Sequence, residues 1–183
     1  MRLWRISNYA DLSGNGGVRF PARWHSKGRP IVYTAEHPAG ALAEFLAHLD
    51  LEDIPASFQL ITIEADDAIV PLRLDPRTLA EDWAVNHAVT RKAGDAWLRG
   101  GESLLLRVPS VLVPDTFNLL INPLHGDARR LRIVKAEKCR SIPASAAPNP
   151  RTDPSSIWCR RAQGWSTAAP PGTRSALRDT SHI

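Results

Sequence analysis

Arg23, Tyr33, Glu44 and Ser110 are spread over much of the chain, yet their side chains complement one another chemically. Arg23 stands beside Trp24, so a guanidinium fork can grip a phosphate through parallel N–H donors while the large ring excludes water. A surface cation–π pair is the alternative for that dipeptide. Tyr33 offers a ring for stacking. Glu44 falls within an apolar helical stripe rather than opposite it. Its carboxylate is therefore either ion-paired to an arginine or put to chemical use, because leaving a buried carboxylate unpaired is costly. Ser110 follows a strand, and the ends of strands are where sites are commonly built. Such a set suits cleavage of the N-glycosidic bond of a dinucleotide. Loss of neutral nicotinamide leaves an oxocarbenium-like ribose, which a carboxylate stabilises while an arginine holds the diphosphate.

These residues need elements to position them. Ile31 to Thr34 is β-branched and aromatic, bounded by Pro30 and Pro38, and predicts a strand. Pro38 suits a first helical turn, and Ala41, Leu42, Phe45, Leu46 and Leu49 recur at helical spacing after it. Leu3 to Ile6 reads as a first strand, in which Arg5 either points into a site or pairs with a surface carboxylate. Ser57 to Glu64 reads as a strand and Ala68 to Leu72 as its extension or partner, with Pro71 marking an edge. Thr90 to Leu98 predicts a helix with Thr90 as N-cap, weakened by Gly94 and stopped at Gly100-Gly101. Ser103 to Val108 reads as a buried strand ending at Pro109-Ser110, Val111 to Pro114 as its extended continuation, and Phe117 to Asn122 as another strand. Period-two geometry puts Asn118 and Asn122 on one face. Leu131 to Val134 closes the series.

Composition narrows the classes. A 183-residue chain with 43% hydrophobic residues can bury a core as one domain with a tail. The net charge is +4, but the densest basic cluster, Arg129, Arg130, Arg132 and Lys135, alternates with apolar residues as on a strand, so direct nucleic-acid binding is not expected. Neither a membrane span nor a signal-peptide core occurs, which points to the cytoplasm. Ser13 to Gly17 is glycine-rich but lacks the spacing of a dinucleotide fingerprint or P-loop. The six histidines and two cysteines show no metal-ligand spacing, so no metal site is expected. No nucleophile elbow with a Ser-His-Asp order occurs either.

The ordered segments RWHSKG, IVYTAE, ALAE and LLLRVPSVLVPDTFNLLINPLH together resemble the RES domain, a family named for an arginine, a glutamate and a serine. The resemblance carries those three onto Arg23, Glu44 and Ser110, with Tyr33 as the accompanying catalytic aromatic. Arg5, Trp24, Asn118 and Asn122 are the further candidates for substrate binding. It implies an α+β fold, a single mixed-sheet domain with a few helices similar to ADP-ribosyltransferase toxins. It also implies a toxin that degrades NAD+ by hydrolysis or phosphorolysis, needs no cofactor beyond NAD+ as substrate, and is partnered by an antitoxin with an Xre-type helix-turn-helix. Transfer of ADP-ribose to a protein and a catalytically impaired, RES-like binding domain are the alternatives.

The chain departs from the family pattern at Pro21-Ala22 and His25, where glycines and an asparagine are usual. It departs again after Glu137, where an aromatic-rich final strand is expected. The domain is therefore drawn as residues 1–137, with residues 138–183 as an atypical, disordered tail. Six of the 15 prolines fall in that tail, together with both cysteines, and the abrupt change of composition matches a shifted reading frame.

Overall fold

The alternating and β-branched runs fold into strands, and the runs at helical spacing pack on one side of them. The computed structural model describes residues 1–50 and 54–141. The strands are β1 (Arg2–Ile6), β2 (Val32–Ala35), β3 (Ser57–Ala65), β4 (Leu72–Arg73), β5 (Leu105–Pro109), β6 (Phe117–Ile121) and β7 (Leu131–Arg140). The α-helices among the described residues are α1 (Asn15–Arg19), α2 (Pro38–Leu46) and α3 (His87–Gly100). The strands form one seven-stranded sheet in the order β4-β5-β6-β2-β1-β3-β7. All neighbours are antiparallel except β4 and β5. This is the expected α+β class, a mixed sheet with a few helices.

Register decides which side chains share a face. Trp4 is paired with Ala35, Ala35 with Asn118, and Asn118 with Val108, so these four lie side by side on one face. Tyr33, Leu120 and Leu106 line up one repeat further along the same face. There they pack with Trp24, Ile31, Trp97 and Val108. The opposite face carries Leu3, Val32, Ile61, Ile63, Leu119 and Ile121, closed over by Ile69, Leu104 and Leu12. The sheet thus separates two apolar clusters, and α2 and α3 belong to the Tyr33 face.

Several local expectations are corrected. Asn86, not Thr90, caps α3, its side chain accepting from Ala88 N; Thr90 lies one turn inside and is fully buried. Residues 111–115 are not extended but form the bends of a tight connection between β5 and β6, with Asp115 at φ 59°. The connection closes through Ser110 N donating to Thr116 O at 2.9 Å. The glycine-rich stretch becomes the one-turn α1, entered through Gly14 at φ 70°. Leu49 lies beyond the end of α2, and Leu46 is exposed, so the apolar stripe of that helix is shorter than its sequence suggests.

The largest difference is at the end of the sheet. β7 stays paired with β3 as far as Arg140 opposite Ser57, past the boundary drawn at Glu137. Lys135 and Lys138 lie opposite Thr62 and Gln59 and so point to opposite faces, and an edge strand this open to solvent reads as polar rather than alternating. The rest of the proposed tail, from residue 142, lies outside the described residues.

Candidate active site

Glu44 projects from the last turn of α2 toward the sheet. The helix starts where it does because His37 caps it, Nδ1 accepting from Ala39 N at 3.2 Å, and Pro38 occupies the first turn. Trp4 against His37 and Phe45 against Phe58 seat the helix on β1 and β3. Glu44 Oε1 accepts two hydrogen bonds, from Ser110 Oγ at 2.9 Å and from Asn118 Nδ2 at 2.6 Å. No arginine pairs with Glu44 among the described residues, so the ion-pair alternative is not what holds it. Oε2 has no protein donor among the described residues, which leaves one carboxylate oxygen for a ligand.

Ser110 is itself fixed. Its Oγ accepts from Leu112 N at 3.1 Å while donating to Glu44, so both hydroxyl roles are taken. Asn118 sits on β6 opposite Ala35, two residues along β2 from Tyr33. Tyr33 and the glutamate cluster are therefore separated along one sheet face by about 7 Å, two residues of strand rise.

Tyr33 is held by a network that includes His25. Tyr33 Oη lies 3.1 Å from Trp24 N and 2.8 Å from His25 Nδ1, and His25 Nε2 lies 3.0 Å from Phe20 O. A carbonyl only accepts, so Nε2 carries the proton. Nδ1 is then the acceptor, and the Tyr33 hydroxyl donates to it while accepting from Trp24 N–H. Burial lowers the proton affinity of His25, which keeps the ring neutral, as this pattern requires. Burial likewise pushes the Tyr33 hydroxyl well above its usual range, so it stays protonated. The phenol orients a ring here rather than serving as a base.

The backbone of residues 22–24 is wedged between Tyr33 and α3. Arg91 Nε donates to Ala22 O at 2.8 Å, and Thr90 Oγ1 donates to Arg23 O at 2.6 Å. Gly94 lets the helix come this close, since a Cβ there would stand 1.9 Å from Trp24 O. Asp95 Oδ1 accepts from Ser26 N at 3.0 Å and meets Arg29 Nε at 3.1 Å. Burial raises the Asp95 carboxyl, but the Ser26 bonds and the neighbouring arginine charges outweigh it and hold the group below its usual value. Gly94 is thus a packing residue of α3 and not a weak point.

The other candidates are placed as follows. Arg23 is half-buried, with Nη1 donating to Ala84 O at 2.7 Å. Trp24 is only 2% exposed and packs against Trp83, so it anchors the segment from inside the core and offers no open ring to shield a phosphate. Asn122 follows the parity expected of it but is buried away from Glu44, donating to Leu98 O and accepting from Leu124 N. Arg5, one residue after Trp4, points to the opposite face and reaches Asp11 O at 3.4 Å. Glu44, Ser110 and Asn118 are brought into direct contact, with Tyr33 and Arg23 along the same side; Arg5 and Asn122 are not. His25 and Arg91 were missed. His25 was signalled only by its place after Trp24, and Arg91 by its i,i+4 spacing from His87.

Two open concavities of about 540 and 500 Å³ lie elsewhere, around Arg2, Glu64 and Arg132 and around Trp4, Leu60 and Glu137. Arg2 and Arg132 both pair with Glu64, Arg130 with Asp66, and Lys135 with Glu137. Three members of the basic cluster seen in the sequence, Arg130, Arg132 and Lys135, are thus paired with carboxylates. No helix of the described residues is long and apolar enough to cross a membrane.

Comparison with known proteins bears on the family and the fold. The RES domain family profile matches residues 2–144. A curated protein named Toxin Res from Pseudomonas putida is 44% identical over 135 residues, covering 73% of this chain and 92% of that protein. A protein named Prs ADP-ribosylating toxin from Sphingobium sp. is 36% identical over 146 residues, covering 74% of this chain and 91% of its own length. The crystal structure of the M. tuberculosis MbcT-MbcA toxin-antitoxin complex matches in fold with a TM-score of 0.61 at 18% identity, covering 76% of this chain and 84% of that one. A family match spanning most of the chain, relatives of this identity and a shared fold place the sequence securely: the chain belongs to the RES domain family.

Proposed function

We propose that this chain is the toxin of a toxin-antitoxin pair and that it cleaves the nicotinamide N-glycosidic bond of NAD+. The observation that carries the reading is the Glu44 carboxylate, held through Oε1 by Ser110 and Asn118 with Oε2 left for a ligand. In the reaction the C1′–N bond breaks and its electron pair goes to the nicotinamide ring nitrogen, neutralising the pyridinium. The positive charge moves to the ribose as an oxocarbenium. Glu44 stabilises that cation from a fixed position, so little reorganisation is needed at the moment of bond breaking. Tyr33, rigid through its hydroxyl, offers a ring face along the same side, and Arg23 holds the diphosphate.

An oxygen nucleophile then bonds to C1′ and gives up its proton. Water yields ADP-ribose, inorganic phosphate yields a phosphorylated ADP-ribose, and a protein side chain yields a modified protein. Transfer to a protein is kept as the second reading because a relative of 36% identity is named an ADP-ribosylating toxin. NAD+ is a substrate in this scheme, and we take the chain to act in the cytoplasm. The fold shared with a toxin-antitoxin complex supports an antitoxin chain as partner, which we take to be an Xre-type helix-turn-helix protein. Incubation of the purified chain with NAD+ alone, with inorganic phosphate added and with acceptor protein added tests the scheme. Free nicotinamide accompanied by ADP-ribose, its phosphate or a labelled protein separates the acceptors, and intact NAD+ in all three conditions rejects the scheme.

A further inference from the structure

We propose that Arg91 is the second arm of the phosphate clamp, binding with Arg23 the diphosphate of the dinucleotide; the assignment rests on the NAD+ reading above. Arg29, Arg107, Arg130 and Arg132 each meet a carboxylate. Arg23 and Arg91 are half-buried, yet neither has a carboxylate at ion-pair distance among the described residues. Each is anchored by one N–H on a backbone carbonyl, Arg23 on Ala84 and Arg91 on Ala22. The remaining guanidinium donors are uncommitted to any acidic group. Asp95 is one helical turn beyond Arg91 and is the natural partner by spacing, but its Oδ1 is occupied by Ser26 and Arg29.

The Arg91 anchor falls on the backbone that leads into Arg23 itself. Arg91 holds Ala22, Thr90 holds Arg23, and the next N–H, that of Trp24, is on the Tyr33 hydroxyl. Both guanidinium charges act on Tyr33 and on His87, whose proton affinity falls through burial and then through these two arginines. Arg91 is tied to the carbonyl of the residue before Arg23, and both guanidinium groups keep N–H donors free for an anion. The diphosphate supplies one negative charge on each phosphate, and a planar fork matches each pair of phosphate oxygens.

The test titrates the full chain and Arg91→Gln with inorganic pyrophosphate, NAD+ and nicotinamide riboside. The glutamine keeps an N–H for Ala22 O and removes the cation. Affinity for pyrophosphate and for NAD+ should fall about 10-fold or more, and that for nicotinamide riboside should not change. Equal pyrophosphate affinity in the two chains, or no pyrophosphate binding by the parent, overturns the assignment. A readout independent of any variant is the rate at which phenylglyoxal modifies Arg91 in the parent chain. Pyrophosphate should protect it, and an unprotected Arg91 also overturns the assignment. Nicotinamide release by the parent is followed in the same samples. Its absence beside an Arg91-dependent pyrophosphate site rejects the reaction and keeps the anion site, whereas normal release with an indifferent Arg91 rejects only the clamp.

Discussion

Ser110 and Glu44 lie 66 positions apart and are joined by a 2.9 Å hydrogen bond from the serine hydroxyl to Oε1. The bond links the end of β5 to the last turn of α2, and Asn118 on β6 adds a second donor to the same oxygen. The two donors fix the direction in which Oε2 faces. A catalytic carboxylate held by two donors should tolerate the loss of one better than the loss of both. Ser110→Ala and Asn118→Ala should each lower kcat by about 10-fold. The double variant should lose more than the product of the two, because either donor alone still holds the oxygen. A kinetic double-mutant cycle measures this, and strictly multiplicative losses contradict the shared-oxygen geometry.

Arg23→Lys should weaken NAD+ binding nearly as much as Arg23→Ala. A point-charge ammonium that donates to Ala84 O still does not reproduce the planar fork. Calorimetric titration with NAD+ checks it, and a lysine variant with parental affinity places Arg23 outside the phosphate site.

Gly94→Ala should destabilise the fold by about 1–3 kcal/mol, although alanine is favoured over glycine inside a helix by about 1 kcal/mol. The sign is set by contact, since the added Cβ would stand 1.9 Å from Trp24 O and must push α3 off the 22–24 segment. Denaturant unfolding reads the change directly, and a stabilised variant would contradict the close packing.

Stability should fall as the medium is acidified from about pH 7.5 to about 5.5. The folded value of His25 lies below its ordinary 6.5, so the unfolded chain takes up this proton first. Stability is thus full above the unfolded value and is lost as the pH drops through about 6.5 toward the folded one. The ion-paired carboxylates Glu64 and Asp66 have ordinary values of 4.5 and 3.8, lowered here by Arg132 and by the Ala68 N–H bond, and contribute only in more acid conditions. Denaturation midpoints at the two pH values should differ in the parent by more than in His25→Asn, where the contribution of His87 remains. A parent chain with equal midpoints contradicts a buried neutral His25.

How much of this was legible in the sequence depends on range. Strands β2, β5 and β6 follow from local patterns, and the inward position of Glu44 follows from its place in the α2 stripe. The parity of Asn118 was readable, but the position of Asn122 beside Leu98 was not, because periodicity gives a face and not a neighbour. Gly94 was misread for the same reason. Its meaning lies in the backbone of Trp24, far off in sequence, and a helix scale sees only the missing Cβ. Thr90 has the chemistry of a cap, but Asn86, four residues earlier, has it too, and only the docking of α3 decides between them. The last residues of β7 escaped because an edge strand need not alternate where both of its faces meet solvent. Arg5 fell on the wrong face, since the pairing of Trp4 with Ala35 fixes the phase of β1.

The most direct test of the central claim compares nicotinamide release from NAD+ by the parent chain and by Glu44→Gln. The glutamine carbonyl can still accept from Ser110 and Asn118, so the change replaces only the negative charge at Oε2 with a neutral amide. Release should fall by about 10²- to 10³-fold, the typical effect of removing one preorganised electrostatic group, with the unfolding midpoint unchanged. Release at the parental rate by Glu44→Gln would show the carboxylate to be structural and would contradict this account.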